Sequence, residues 1–376
     1  MTPKISISLI IASVMPLAAS ATPVVSSVSG TASHGQSLTI TGSGFGAMGG
    51  HIISWDDFEA HALGSAIQNS SPITGPTWTT QNNDPAGGAG YSNIHAHSGN
   101  VAAHINWSGT TGIRAFGWAG QGPFNKLYIT YWRWMEGNYS ADTTICKTSD
   151  GYACNHKQFY LFGNSGGMPQ GMPLIPAGNT VWGYYNNVSA IQGDWNSTNN
   201  INKIGLNYSN TSNKWSRWEF WQTLNSDPNC ANGSNCDGIL QYWVDAKLAY
   251  SRSDYKPRFV NGQWIDFRLG HMAHGFTNTA KAWFDDLYIA NTLARVELGD
   301  NAAWDNCTHR EIQIVSSWTD SQIQAEIRQE NFPAGTTAYL FIVDANGNPS
   351  PGYPVTFSDT TSPAAPKPPK GLTIKP

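Results

Sequence analysis

Four short stretches between residues 128 and 269 alternate apolar side chains with tryptophan, charged and amide ones: Tyr128 to Met135, Trp215 to Gln222, Ile239 to Asp245 and Trp264 to Leu269. Successive side chains of a β-strand point to opposite faces, so each stretch sorts into two sets. One set holds Ile129, Tyr131, Trp218, Phe220, Leu240, Tyr242, Val244, Ile265, Phe267 and Leu269, and it predicts a core. The other holds Trp132, Trp134, Arg217, Glu219, Trp221, Gln241, Trp243, Asp245, Asp266 and Arg268. That second set is too aromatic for an idle wet face and too polar for a second core. Planar rings beside fixed charges suit a carbohydrate chain, whose C–H faces lie on rings and whose hydroxyls and carboxylates need directed partners. The expectation is one accessible trough. The competing expectation is that Trp132, Trp134, Trp221 and Trp243 are covered by loops or by another domain.

The composition agrees with a turn-rich β protein: 12% of residues are charged, while Gly 38, Trp 16 and Tyr 15 are high counts for 376 residues. A net charge of −4 without basic runs argues against a nucleic-acid partner, because phosphate neutralisation needs clustered Lys and Arg. At the N-terminus, Lys4, the apolar run Ile5 to Leu17 and Ala19-Ser20-Ala21 have the form of an export signal, with cleavage expected after Ala21. No later run reaches the length of a membrane span. The chain is expected to be secreted, periplasmic or at the cell surface. In that setting Cys146 with Cys154, and Cys230 with Cys236, are each close enough in sequence to form a short-loop disulfide, leaving Cys307 over.

Residues 22–46, TPVVSSVSGTASHGQSLTITGSGFG, resemble the opening of an IPT/TIG immunoglobulin-like domain, above all in the run LTITGSGF from Leu38 to Phe45. Two strands cannot bury a core. Residues 311–357, with Ile312, Ile314, Trp318, the alternating Ile323, Ala325 and Ile327, and two further strand-like runs, are similar to the closing half of the same domain type. The organisation expected is therefore an immunoglobulin-like β-sandwich split into 22–51 and 296–358, a domain inserted over 52–295, and a Pro-rich tail at 359–376. The inserted region resembles the concanavalin A-like jelly-roll β-sandwiches of polysaccharide lyases and lectin-type modules. The resemblance rests on WDDFE at Trp55 to Glu59, on DGILQYWVD at Asp237 to Asp245 preceded by WSRWEFWQ, and on WFDDLYIA at Trp283 to Ala290. The fold class expected is all-β.

A lyase acting on a uronate polymer needs a group that neutralises the substrate carboxylate and a base for the C–H that this acidifies. Arg133, Lys157, Gln158, Arg217, Gln241 and Arg268 are candidates for the first job, and His156, Tyr160, His271 and His274 for the second. Resemblance to jelly-roll lyases favours Arg217, Gln241, Arg268, Tyr160 and His271 as the catalytic set, with Trp132, Trp134, Lys157, Glu219, Trp221, Trp243 and Asp266 contacting the polysaccharide. On the strand from His156 to Phe162 the register stays open: with Phe159 and Leu161 inward, Gln158 and Tyr160 face the cleft, and with the register flipped Lys157 does. A glycosidase would need two carboxyl groups roughly 5 to 9.5 Å apart. Glu219, Asp245 and Asp266 could serve, but no E-x-D-x-x-E run occurs. A non-catalytic carbohydrate-binding or adhesion protein is the alternative. The resemblance further implies a structural Ca2+ where first and last strands meet, held by Asp57, Glu59 and Asp285 among neighbouring acids; these acids could instead cap turns.

Overall fold

The computed structural model describes residues 22–82, 89–107, 113–136, 155–176, 183–185, 213–231, 233–274 and 280–358. In chain order the strands are β1 (Val24–Ser29), β2 (Ser37–Ser43), β3 (Ile52–Asp56), β4 (Thr79–Asn82), β5 (Gly90–Ser92), β6 (Ala102–Trp107) and β7 (Arg114–Trp118). There follow β8 (Lys126–Met135), β9 (Asn155–Gly163), β10 (Gly167–Pro176), β11 (Gly183–Tyr185), β12 (Trp215–Thr223), β13 (Gly238–Val244) and β14 (Lys247–Tyr255). The last are β15 (Trp264–His274), β16 (Ala280–Ala290), β17 (Arg295–Gly299), β18 (Arg310–Trp318), β19 (Gln322–Glu326), β20 (Thr337–Val343) and β21 (Tyr353–Thr356). Helix among the described residues is limited to the 3-10 turn Trp304–Asn306. The fold is an all-β sandwich.

Three antiparallel sheets carry these strands. An eight-stranded sheet runs β14-β13-β12-β8-β16-β6-β5, with β3 also paired to β16, and a six-stranded sheet runs β11-β10-β9-β15-β7-β4. Their facing sides share one core that includes Ile129, Tyr131, Trp218, Phe220, Leu240, Tyr242, Val244, Phe267 and Leu269, nine of the ten residues that parity placed there. The exception is Ile265, which is only half-buried, while its neighbour Trp264 is fully buried in the core. The pairing of β15 with β9 slips between Trp264 and Asp266, which inverts the alternation at that point. Each such large apolar side chain, fully buried, contributes roughly 1.5–3 kcal/mol.

The seven-stranded third sheet runs β1-β2-β19-β18-β17-β20-β21, so β2 pairs on one side with β1 and on the other with a strand almost 300 residues away: Thr41 stands opposite Gln322 and Ser37 opposite Glu326. Leu38, Ile40, Phe45, Val296, Leu298, Ile323, Ile327 and Leu340 form its own core. A third apolar cluster joins the seven-stranded sheet to the eight-stranded one. Trp55, Tyr128, Trp221 and Tyr288 from the sandwich meet Leu293 and Ile312 there. The outer side of the eight-stranded sheet is therefore covered.

Candidate functional site

Side chains expected to line an open trough fill that junction. On β12, Arg217 and Glu219 are 2% and 1% exposed, and Trp132 and Trp221 only 7% and 6%. Arg217 donates to Glu297 at 2.8 Å, to the Arg310 carbonyl at 2.7 Å and to Thr130 Oγ1 at 3.2 Å. Tyr128 donates its hydroxyl to Glu219 at 2.6 Å, and Arg310 approaches Glu219 at 3.3 Å and Glu297 at 3.2 Å. Arg295 pairs with Glu297 at 2.5 Å. Burial pushes the Glu297 carboxyl up, but the guanidiniums of Arg217, Arg295 and Arg310 outweigh it and hold Glu297 well below the usual carboxylate range. Three arginines and two glutamates are thus held in one ion-pair network out of water, an arrangement that tolerates no missing partner. The trough expectation is corrected here. Arg217, Glu219, Trp132 and Trp221 are buried between sheets rather than lining an open trough.

Three more residues of that face lie at its margins. Trp134 stacks on His95 with ring centres 4.2 Å apart. Gln241 and Trp243 on β13 are half-buried and line a cleft at the edge of the junction. None of them shares a face with Arg268, which lies on the opposite sheet of the sandwich.

The outer side of the six-stranded sheet is different. Arg268 on β15 stands opposite Tyr160 of β9 on one side and Gly117 of β7 on the other. Gly117 and the flanking Ala115 and Ala119 carry little bulk, so a cleft of about 260 Å³ opens beside Arg268, with Thr79 on its wall. The Arg268 guanidinium lies over the Phe162 ring at 4.2 Å and bonds Asp266 at 3.3 Å, and it keeps 25% of its side chain exposed. Asp266 in turn accepts the Gly120 amide at 3.0 Å. Tyr160 stacks on Phe162 at 4.2 Å and donates its hydroxyl to Gln170 at 2.7 Å.

A bulge resolves the register of β9. Four residues of β10, Gly171 to Leu174, lie opposite five of β9, Leu161 to Lys157, so alternation breaks inside that segment. Gln158 turns inward, where its amide oxygen accepts the Tyr131 hydroxyl at 2.9 Å, and Phe159 and Leu161 also enter the core. Lys157, next to the inward Gln158, therefore lies on the face of Tyr160. Both alternatives hold in part: Tyr160 and Lys157 share the outer side, and Gln158 leaves it. Burial lowers the Lys157 amine to about 8. Opposite the bulge, Gly270 has φ +82, and a Cβ there would collide with Ile105, so glycine is required where β15 slips against β9 between Leu269 and Met272. His271 sits in that slip; its side chain, like those of His156 and His274, lies outside the described residues.

The acids expected to hold calcium are occupied by protein donors. Asp57 pairs with Arg328 at 2.7 Å, Glu59 accepts the amides of Asn100 and Val101 at 2.7 and 2.6 Å, and Asp285 accepts those of His97 and Ser98 at 2.8 and 3.3 Å. The group of possible metal ligands that converges within 4.8 Å, among the described residues, is instead His97, Asp286 and Glu311. Burial lowers the His97 ring to about 4. A neutral ring with one N–H satisfies its contacts, donating from Nδ1 to Asp286 at 2.9 Å and accepting at Nε2 from the Asn331 amide at 2.8 Å. Burial and the adjacent Asp286 charge push the Asp285 carboxyl well above the usual carboxylate range. Cys230 and Cys236 form the expected disulfide, with Cα atoms 5.1 Å apart, and Cys307 is a buried free thiol. Cys146 and Cys154 lie outside the described residues.

Sequence reasoning missed Phe162 and Gln170, which hold Arg268 and Tyr160, and missed the partners Arg295, Glu297 and Arg310. A signal for the latter existed. Arg295 and Glu297 alternate with Val296 and Leu298 on β17 as Arg217 and Glu219 alternate with Trp218 and Phe220 on β12, so two strands carry complementary charged faces.

No family model matches the chain, and no curated protein sequence matches it. Solved structures with a similar course include a cellulose-induced protein, 14% identical with TM-score 0.39 over 63% of this chain and 97% of that one. An endo-β-1,4-glucuronan lyase from the fungus Trichoderma reesei is 12% identical with TM-score 0.39 over 64% and 95%. An alginate lyase solved with an alginate trisaccharide is 10% identical with TM-score 0.41 over 64% and 98%. At these identities no residue role transfers. Among the described residues no helix is long and apolar enough to cross a membrane.

Proposed function

We propose that this chain is an exported polysaccharide lyase that cleaves a uronate-containing polymer by β-elimination on the outer side of the six-stranded sheet. The observation that carries the reading is the placing of Lys157, Tyr160 and Arg268 on one side of the six-stranded sheet, where a cleft opens beside Arg268, Tyr160 is 7% exposed and burial brings the amine pKa down to about 8. A lysine poised near neutrality is a base, whereas an ordinary one is an ammonium.

The chemistry follows from the three side chains. Arg268, held in orientation by Asp266 and the Phe162 ring, neutralises the sugar carboxylate and stabilises the enolate that develops from it. Neutral Lys157 takes the proton from the carbon bearing that carboxylate. The released electron pair becomes a carbon–carbon double bond as the adjacent glycosidic C–O bond breaks. The leaving oxygen takes a proton from Tyr160, whose hydroxyl is fixed by Gln170. We read the seven-stranded sheet as the interrupted immunoglobulin-like unit, 22–51 with 296–358; the pairing of β2 with β19 supports this. Its part is to cover the charged face of the sandwich.

Purified protein incubated with glucuronan, alginate, pectate and glycosaminoglycans should generate the ultraviolet absorbance of an unsaturated uronate on at least one polymer, and Lys157→Met should abolish it. No product from any of them, with the polymers still retarding the protein in affinity electrophoresis, would replace the lyase by a carbohydrate-binding protein.

A further inference from the structure

The cleft that retains Gln241 and Trp243 lies where the edge of the eight-stranded sheet meets the seven-stranded one, remote in the fold from Arg268. Its volume is about 330 Å³, the small end of the roughly 300–1,000 Å³ usual for ligand sites. Two indoles line it, one from the eight-stranded sheet and one from the turn between two strands of the seven-stranded sheet. Trp243 is half-buried on β13 and stacks on no other ring among the described residues. Trp304, in the 3-10 turn after β17, is fixed in plane by the Arg310 guanidinium 3.8 Å over its ring and by the edge of Phe341 with centroids 5.2 Å apart.

The polar groups at the rim are held in place. Gln241 donates its amide to Ser251 at 3.0 Å, and no protein donor reaches its carbonyl oxygen among the described residues. Asn346 is exposed at the tip of a turn that Asp344 rigidifies by accepting the amides of Asn346 and Asn348 at 2.9 and 2.8 Å. Rigid rings with a few placed amides are the elements of a sugar site: the rings take the C–H face and the amides take hydroxyls.

Charge then selects the sugar. Arg295 lines the cleft but is spent, donating to Glu297 at 2.5 Å and to the Leu293 carbonyl at 2.8 Å. Asp305 is exposed on the wall and pairs with no cation among the described residues. With Arg295 turned to Glu297 and Asp305 left facing the cleft, a uronate meets a like charge and no uncommitted cation of the lining, whereas a sugar that offers only hydroxyls is admitted. We infer that this junction cleft is a second glycan-binding site, independent of the lyase face, that takes a neutral oligosaccharide on Trp243 and Trp304.

The test is a tryptophan-fluorescence titration of the full chain with cello-, xylo- and manno-oligosaccharides as neutral probes and with oligoglucuronate and oligomannuronate as charged ones. At least one neutral probe should bind. Trp243→Ala should weaken it tenfold or more, Asn346→Ala should weaken it several-fold, and Arg268→Ala should leave it unchanged. Asn346 is exposed, so its variant keeps the inference open to test if Trp243→Ala does not fold. Absence of binding by every neutral probe, unchanged binding in both cleft variants, or loss of uronate rather than neutral binding in Trp243→Ala would overturn it. Release of unsaturated uronate is scored separately, so failure of the lyase reading and failure of this one are distinguishable.

Discussion

The two outer faces of the sandwich carry similar residue types and have opposite fates. On the eight-stranded sheet, Arg217, Glu219, Trp132 and Trp221 lie at 1–7% exposure beneath the seven-stranded sheet, where every charge has a partner. On the six-stranded sheet, Arg268 is likewise held by a carboxylate and lies over a ring, yet 25% of its side chain remains in solvent beside a cleft. An arginine beside aromatic residues is therefore not itself a sign of a binding surface. What distinguishes the two is whether another sheet supplies the counter-charges, as Glu297 does for Arg217, or leaves the space open, as Gly117 and Ala115 do for Arg268.

The largest effect expected on the covered face follows removal of its central acid. Glu297→Gln leaves Arg217, Arg295 and Arg310 to share the single carboxylate of Glu219 out of water and should cost about 3–5 kcal/mol in urea unfolding. A loss below about 1 kcal/mol would mean that water reaches the junction. Trp221→Ala, which removes a nearly buried indole from the apolar part of the same junction, should cost about 3–4 kcal/mol and leave uronate release per folded molecule unchanged.

On the open face the signs are reversed. Arg268→Ala should lower kcat/KM on the cleaved polymer about 100-fold, near 2.7 kcal/mol of transition-state stabilisation, with little change in melting temperature. A melting temperature that falls as it does for Glu297→Gln would erase the contrast between the faces. Reduction of Cys230–Cys236, in a loop with a sequence separation of 6, should cost about 2 kcal/mol and spare activity.

The smallest effect is the dependence on pH. Because the Lys157 amine must be neutral to act, kcat/KM should rise about tenfold per pH unit up to about 8 and then level, and Lys157→Met should remove that limb with the activity. The stability sign follows from linkage. Between about 8 and the ordinary 10.5 the unfolded chain binds more protons at this residue than the folded one, so its contribution to stability rises with pH across that window. An acid limb that persists at the same midpoint in Lys157→Arg would assign the base to another group.

Alternation in the sequence was enough to place Ile129, Tyr131, Trp218, Phe220 and Leu269 in one core, because a strand has a period of two and a core face accepts only apolar side chains. It also showed that Arg217, Glu219 and Trp221 share a face. It could not show what covers that face, since Glu297 and Arg310 come from strands about 80 and 93 residues further along the chain. Lys157 and Tyr160 were legible as candidates but not as neighbours on one side, because the bulge that reconciles them is a property of three paired strands and not of β9 alone.

Local pattern by itself determined the fold class, the core of the sandwich and the Cys230–Cys236 link, because periodicity and short sequence separation are written in consecutive residues. Only the tertiary structure decided which polar face stays in water, since exposure depends on the docking of a sheet built from both ends of the chain. That docking is a free-energy balance between distant surfaces, and no stretch of consecutive residues contains both sides of it.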